Sequence, residues 1–201
     1  FNDVRVIRPV FYEGQLIAFM QANGHWSEMG GSVPGSFDVG AKDIYGEGVR
    51  IPPVRIWEKG KYLEDVANLL VSNMRAPEER LGDLRAQYES TGVAEDELIR
   101  LVKRYGVETV EMAFAESQDY VERLTRARLN ELPNGTWETT DYIDMDPNLG
   151  DGLIPIKVKM TIDDDHIHYD LEGTNDTIGC FLNSTIGAAL SGLYAGTKTF
   201  F

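Results

Sequence analysis

Two runs of apolar and β-branched residues open the chain and predict a β-hairpin. Residues 4–11 and 15–21 are separated by Tyr12-Glu-Gly, a turn signal with a glycine at its end. The second run, LIAFMQA, is nearly all apolar, so we expect a central strand that is buried on both faces. This strand leads directly into Asn23-Gly-His.

The middle of the chain changes to helical periodicity. Residues 30–48 are rich in Gly, Ser, Pro and Asp and predict a long loop. Apolar spacing then predicts helices over 62–73, 77–90, 95–105 and 107–132, and Pro77 fits the first turn of the second. In the last helix, four residues recur at helical spacing and are interpreted as a packing stripe: Val110, Phe114, Val121 and Leu124.

The last third of the chain returns to strands. Residues 136–144, 154–162 and 166–171 predict three strands, and a small-residue helix is expected over 185–198. The order of elements favours an α+β fold, with mixed or antiparallel sheet elements flanking a central helical region. We expect three regions: a hairpin and glycine-rich loop over 1–60, helices over 61–132, and strands with a C-terminal helix over 133–201.

Composition narrows the function classes. The 201 residues are 42% hydrophobic and 26% charged, which is ordinary for a globular protein, and the net charge of −14 makes nucleic acid and anionic membranes poor partners. The sequence has one cysteine, Cys180, so no disulfide can form within the chain. We expect that thiol to be buried and inert, in a cytoplasmic protein.

Asp3 and His25 are the strongest candidates for chemistry. A hairpin that turns near residue 13 places Asp3 opposite residues 23–25, so the carboxylate and the imidazole come together. These groups suit Zn, Mn or Fe(II), although both are also common residues at strand ends. Glu28 follows three residues later as a further ligand, an orienting group or an exposed turn acid.

His166 and His168 form a histidine pair. Their spacing puts both imidazoles on one face of a strand, a pattern that can bind metal. They follow three aspartates in a turn, which favours a solvated hairpin over a metal site.

Five ordered stretches resemble the hydantoinase B/5-oxoprolinase family: DVRVIRPVF, ANGHWSEMGGSVPGS, EGVRIPPVRI, NMRAPEERLGDLRAQ and LPNGTWETTDYID. That family includes B subunits of ATP-dependent N-methylhydantoinases and large subunits of acetone and acetophenone carboxylases. Its members are longer, so we expect an internal segment of a larger multidomain subunit. The resemblance implies a metal site with a His-x-x-Asp motif and a second histidine. Asp3 matches the aspartate of that motif and His25 matches the second histidine. The first histidine of the motif would fall just before Phe1.

The same resemblance implies the reaction. Relatives often carry Asp where this chain has Glu28, so Glu28 is retained as a catalytic candidate. A hydantoinase A-type subunit binds the ATP, and the B-type subunit completes ring opening of a cyclic amide at a divalent metal (Mn, Zn or Fe). We therefore expect a hetero-oligomeric amidohydrolase. The alternatives are an acetone- or acetophenone-type carboxylase, a non-catalytic scaffold subunit and a generic acidic binding domain.

Overall fold

A computed structural model of the chain describes residues 3–144 and 152–199 and confirms the α+β class. The chain divides into two compact units, Phe1–Glu111 and Met112–Phe201, which are described separately. The elements in chain order are β1 (Val4–Tyr12), β2 (Gln15–Gly24), a 3₁₀ turn (Pro34–Ser36), α1 (Ile44–Glu47), β3 (Trp57–Glu58), β4 (Lys61–Tyr62), α2 (Glu64–Val71), α3 (Pro77–Tyr105), α4 (Val107–Leu129), β5 (Gly135–Ile143), β6 (Ile154–Asp163), β7 (His166–Asp170) and α5 (Ile186–Lys198).

The predicted hairpin is confirmed. β1 and β2 pair antiparallel, with Val4 opposite Gly24 at the open end and Tyr12 opposite Gln15 at the turn. Glu13 and Gly14 both have positive φ (49° and 83°), the conformation in which a two-residue turn matches the twist of its strands. The turn sets the register of the first two pairs, and an irregularity between Val10 and Phe11 then shifts it by one residue for the rest of the ribbon.

The expectation that β2 is buried on both faces is wrong for the residues described. α3 packs on one face of the hairpin, formed on β1 by Val4, Val6, Arg8 and Val10. The opposite face is exposed and includes four large apolar side chains: Ile7, Phe11, Leu16 and Phe19. The run in β2 is apolar on both faces, but the part of the chain that the structure describes covers only one of them.

Two clusters of buried side chains hold the first unit together. One joins the open end of the hairpin to the following loop, α2 and the first half of α3. Its members are Val4, Trp26, Met29, Ala67, Val71, Met74 and Leu84. The other joins the turn end of the hairpin to the end of α3 and the start of α4, and comprises Val10, Leu98, Val102 and Val110. α3 contributes to both clusters, so it fixes the position of the hairpin along its length.

α3 is one continuous helix of 29 residues, whereas the sequence predicted two helices over 77–90 and 95–105. The guanidinium of Arg8 lies at the expected break. It donates from Nε to Thr91 Oγ1 (3.0 Å), from Nη2 to the Tyr88 carbonyl (3.1 Å) and from Nη1 to Glu95 (2.9 Å). These contacts from β1 support the helix through Gly92, where the glycine itself costs about 1 kcal/mol relative to alanine.

The second unit contains a three-stranded antiparallel sheet in the order β5-β6-β7, as the strand predictions implied. Thr185 caps α5 by accepting from the Ala188 N–H, and the hydroxyls of Tyr169 and Thr197 join β7 to α5 at 2.6 Å. Cys180 is buried, as expected.

The packing stripe predicted on α4 is wrong in part. Val110 is buried, but Phe114, Val121 and Leu124 are all exposed in the described structure. Helical spacing identified an apolar face, and only its first residue reaches the core of the first unit. Of the helices that the structure describes, none combines the length and the apolar character needed to cross a membrane.

Candidate functional site

Asp3 and His25 meet at the open end of the hairpin, as the register predicts. The last ladder pair is Val4 with Gly24, and the next residue on each strand is one of the two candidates. Nδ1 of His25 lies 2.9 Å from Oδ1 of Asp3, and the Asn23 amide donates to Asp3 Oδ2 at 3.4 Å. The His25 side chain is 66% exposed, so the pair is accessible from solvent.

The electrostatics of the pair keep Asp3 ionised. The hydrogen bond from His25 is the largest influence and lowers the pKa of Asp3; slight burial raises it, and the Asn23 amide lowers it further. An ionised carboxylate only accepts, so the proton in this hydrogen bond belongs to Nδ1 of His25. In the neutral ring Nε2 then carries the lone pair.

Glu28 lies elsewhere, inside the glycine loop. Its side chain is buried, and its carboxylate accepts from the backbone N–H groups of Gly30 and Gly35, the latter at 2.9 Å. The backbone and guanidinium of Arg75 approach the same carboxylate at 3.4 Å. The loop, which has positive φ at Gly30 and Gly35, wraps around its own acid.

Burial is the largest single influence on Glu28 and raises its pKa. The N–H groups of Gly35, Gly30 and Arg75 and the Arg75 side chain together outweigh burial, so the net pKa of Glu28 is lowered. Glu28 is therefore an ionised anchor for the loop at neutral pH. Its contacts are those of a structural carboxylate, and its catalytic role stays a prediction.

The structure thus brings two of the three predicted site residues together. Across residues 3–144 and 152–199, no three His, Cys, Asp or Glu side chains converge as a metal-binding group. Asp3 and His25 still fit a divalent cation by donor chemistry, because carboxylate oxygen and imidazole nitrogen are ligands that Zn, Mn and Fe(II) accept.

Three polar residues that sequence reasoning did not single out hold this region. Arg75 donates to the carbonyls of Val33 (2.9 Å) and Gly31 (3.3 Å). Arg80 is buried and donates to Ser27 Oγ at 2.6 Å.

Gln87 is the third, and it bonds to both strands beside the Asp3–His25 pair. All three residues fall within NMRAPEERLGDLRAQ. That stretch carried part of the family resemblance, which was the available signal.

The histidine pair His166 and His168 lies on β7 in the second unit. His166 is exposed and its Nδ1 contacts Asp165 at 2.5 Å, while Nε2 lies 3.2 Å from the Arg126 guanidinium. His168 is exposed on the same strand. A cation beside the ring favours the interpretation of a surface hairpin over a metal site.

The chain belongs to the hydantoinase B/oxoprolinase family, whose model "Hydantoinase B/oxoprolinase" matches residues 1–201. The resemblance drawn from the five stretches is confirmed. The names of its relatives include a caprolactamase subunit, a 5-oxoprolinase and an acetophenone carboxylase subunit.

The chain is 39% identical to caprolactamase subunit beta of Pseudomonas jessenii over 198 residues, which are 98% of this chain and 34% of that protein. It is 32% identical to the acetophenone carboxylase delta subunit of Aromatoleum aromaticum, covering 71% of this chain and 21% of that one. The chain therefore spans about a third or less of the length of these relatives.

Two solved structures share the fold. The crystal structure of ATP-dependent caprolactamase from Pseudomonas jessenii matches with a TM-score of 0.87 at 38% identity, covering 96% of this chain and 33% of that one. A nucleotide-free acetone carboxylase matches with a TM-score of 0.90 over 98% of this chain and 28% of that one. The second match is at 19% identity and supports the fold alone.

Proposed function

We propose that this chain is part of a B-type subunit that completes the ring opening of a cyclic amide in an ATP-dependent hydrolase. The observation that carries the proposal is the Asp3–His25 pair, with Nδ1 and Oδ1 2.9 Å apart at the accessible end of the hairpin. The 39% identity to a caprolactamase subunit supports an amide substrate, since caprolactam is a cyclic amide.

Asp3 and His25 would hold a divalent cation, Mn, Zn or Fe, with a third ligand at the position just before Phe1 where the resemblance puts a histidine. Such an ion, when bound, polarises a carbonyl or lowers the pKa of a bound water. Nδ1 of His25 and Oδ1 of Asp3, 2.9 Å apart, are the two atoms that would bind the ion, in place of the proton that they share in the described structure.

The glycine loop contributes shape to the site. Glu28 fixes the backbone of residues 30–35 from inside, so the segment that follows His25 keeps one conformation. Gly30 and Gly31 bring no side chains because their own neighbours need the space: a Cβ at Gly30 would lie 2.5 Å from the Asn73 carbonyl oxygen, and one at Gly31 would lie 2.6 Å from that of Gly46.

ATP binding belongs to a partner in this proposal. A hydantoinase A-type subunit phosphorylates the amide oxygen, and the B-type subunit receives the activated ring. Relatives named as subunits, caprolactamase beta and acetophenone carboxylase delta, support a hetero-oligomer.

A carboxylase that acts on a ketone is the second candidate. The acetophenone carboxylase relative supports it. A cation held by Asp3 and His25 would stabilise the negative charge of an enolate oxygen. A non-catalytic scaffold is the third candidate, because the described residues supply only two adjacent donors.

The test is metal content of the complete protein, measured by elemental analysis alongside His25→Ala. His166→Ala is the matched control, because it removes another exposed histidine that contacts an aspartate. We expect about one equivalent of Mn, Zn or Fe in the parent protein and in His166→Ala, and a loss in His25→Ala.

Activity then separates the candidates. With the ATPase partner added, a hydrolase opens lactams without bicarbonate, whereas a carboxylase consumes a ketone only when bicarbonate is present. Equal trace metal in all three proteins would refute the metal role of His25 and favour the scaffold.

A further inference from the structure

Gln87, on α3, is hydrogen-bonded to both strands where the Asp3–His25 pair begins. Its Nε2 donates to the carbonyl of Val4 at 3.0 Å and to the carbonyl of Ala22 at 3.2 Å. Its Oε1 accepts from the indole Nε1–H of Trp26 at 2.9 Å. Val4 directly follows Asp3, and Trp26 directly follows His25, so one amide secures the chain next to each member of the pair.

The chemistry of the three contacts requires a primary amide. Carbonyl oxygens can only accept and an indole N–H can only donate, so the side chain must present two N–H donors and one oxygen acceptor. A glutamate at position 87 would offer only acceptors and place a negative charge against two carbonyls. A methionine has similar length and offers none of the three hydrogen bonds.

The absence of a side chain at Gly24 leaves room for the Gln87 amide. A Cβ at position 24 would lie 2.6 Å from Nε2 of Gln87, which is closer than real Cβ contacts allow. The φ of Gly24 is not in the left-handed region, so the glycine is needed for space rather than for its backbone conformation. The hairpin end and the helix are therefore fitted to each other beside the candidate site.

We infer that Gln87 is the positioning residue for the Asp3–His25 pair, setting the separation and the direction of the two donors by holding Val4, Ala22 and Trp26. The inference rests on the proposed function, because it assigns Gln87 a role in cation affinity. It adds a residue on α3, more than sixty positions from His25 in sequence, to a site otherwise formed by the hairpin ends.

The experiment compares Gln87→Met and Gln87→Glu with the parent protein, all in the complete polypeptide. Thr91→Val is the matched control: Thr91 is also on α3, also bonds to β1 through Arg8, and contacts the middle of the strand rather than its end. Two quantities are measured, the dissociation constant for Mn²⁺ alone and hydrogen–deuterium exchange of peptides covering residues 22–27.

We expect both Gln87 variants to weaken Mn²⁺ binding about 10- to 100-fold, the usual effect of losing a group that orients a ligand, and to speed exchange over residues 22–27. Thr91→Val should lower thermal stability while leaving both the Mn²⁺ affinity and that exchange unchanged. This contrast separates positioning from general support of the fold.

Three results would contradict either the role of Gln87 or the proposed function. Parent-like affinity and exchange in Gln87→Met would overturn the role of Gln87 while leaving the proposed function intact. Equal loss of affinity in Thr91→Val would assign the effect to general destabilisation and also overturn it. If the parent protein binds no Mn²⁺ and elemental analysis finds no Zn or Fe in it, the proposed function fails, and the exchange data alone decide whether Gln87 holds the pair.

Discussion

Replacing Glu28 by glutamine is the sharpest test of how the glycine loop is held. The variant keeps the length of the side chain but turns one of its two acceptor oxygens into a donor. Oε1 and Oε2 accept from the N–H groups of Gly30 and Gly35 respectively, so one of these donors then faces an amide NH₂. The variant also leaves Arg75 without the charge it faces.

The magnitude follows from these contacts. A hydrogen bond to a charged group contributes about 1.5–3 kcal/mol, and a buried N–H left without a partner costs about 1–3 kcal/mol. Losing one such bond and converting the other to a neutral bond predicts that Glu28→Gln lowers the free energy of unfolding by about 2–4 kcal/mol. Arg75 is partly exposed, so its share is small.

The assay is equilibrium urea unfolding followed by circular dichroism at neutral pH. Glu79→Gln is the matched control, since Glu79 also pairs with an arginine, Arg80, but is 73% exposed. We expect that control to lie within about 0.5 kcal/mol of the parent protein.

The pH dependence carries a definite sign. Because folding lowers the pKa of Glu28 below its ordinary value of 4.5, its stabilising effect is fully present above 4.5 and is lost as the pH falls through the folded-state pKa. The gap between the parent protein and Glu28→Gln should therefore narrow in acid. A Glu28→Gln variant as stable as the parent at pH 7, or a gap as large below the folded-state pKa as at pH 7, would refute the anchoring role.

Two further predictions concern the hairpin end. Gly24→Ala should displace the Gln87 amide and reproduce the exchange increase of Gln87→Met, and the two substitutions combined should add little to either alone; full additivity would contradict the close fit. In His25→Ala the pKa of Asp3, followed by NMR of its carboxyl carbon, should rise toward its ordinary value of 3.8, because the hydrogen bond that most lowers it is gone. An unchanged pKa would contradict that assignment.

Local signals in the sequence predicted the hairpin and the meeting of Asp3 with His25. A short turn sets an antiparallel register, so positions on either side of residue 13 could be paired by counting to within the one-residue shift between Val10 and Phe11. The periodicity of apolar and polar residues predicted β5, β6, β7 and α5 to within about two residues. These successes all depend on contacts between neighbours along the chain.

The errors and omissions depend on distant contacts. Arg8 contacts α3 at Thr91, 83 residues along the chain, and Arg75 approaches Glu28 across 47 residues. The Gln87 bonds span 61 to 83 residues. The apolar run of β2 suggested burial on both faces, but α3 covers one face and the other is exposed in the described structure. No periodicity encodes such partners.

The Glu28 carboxylate orders the glycine loop before any ligand binds. In the proposed hydrolase, this lowers the entropy cost of substrate binding. Fixing the backbone of a flexible glycine-rich segment costs about 1–2 kcal/mol per residue in conformational entropy. When a ligand orders such a loop on binding, this cost lowers the affinity for that ligand. Here Glu28 acts as an internal ligand, so the loss falls at the folding step. In the proposed hydrolase, a substrate arriving beside His25 would meet a surface whose shape is already set, and its binding energy would remain available for the reaction.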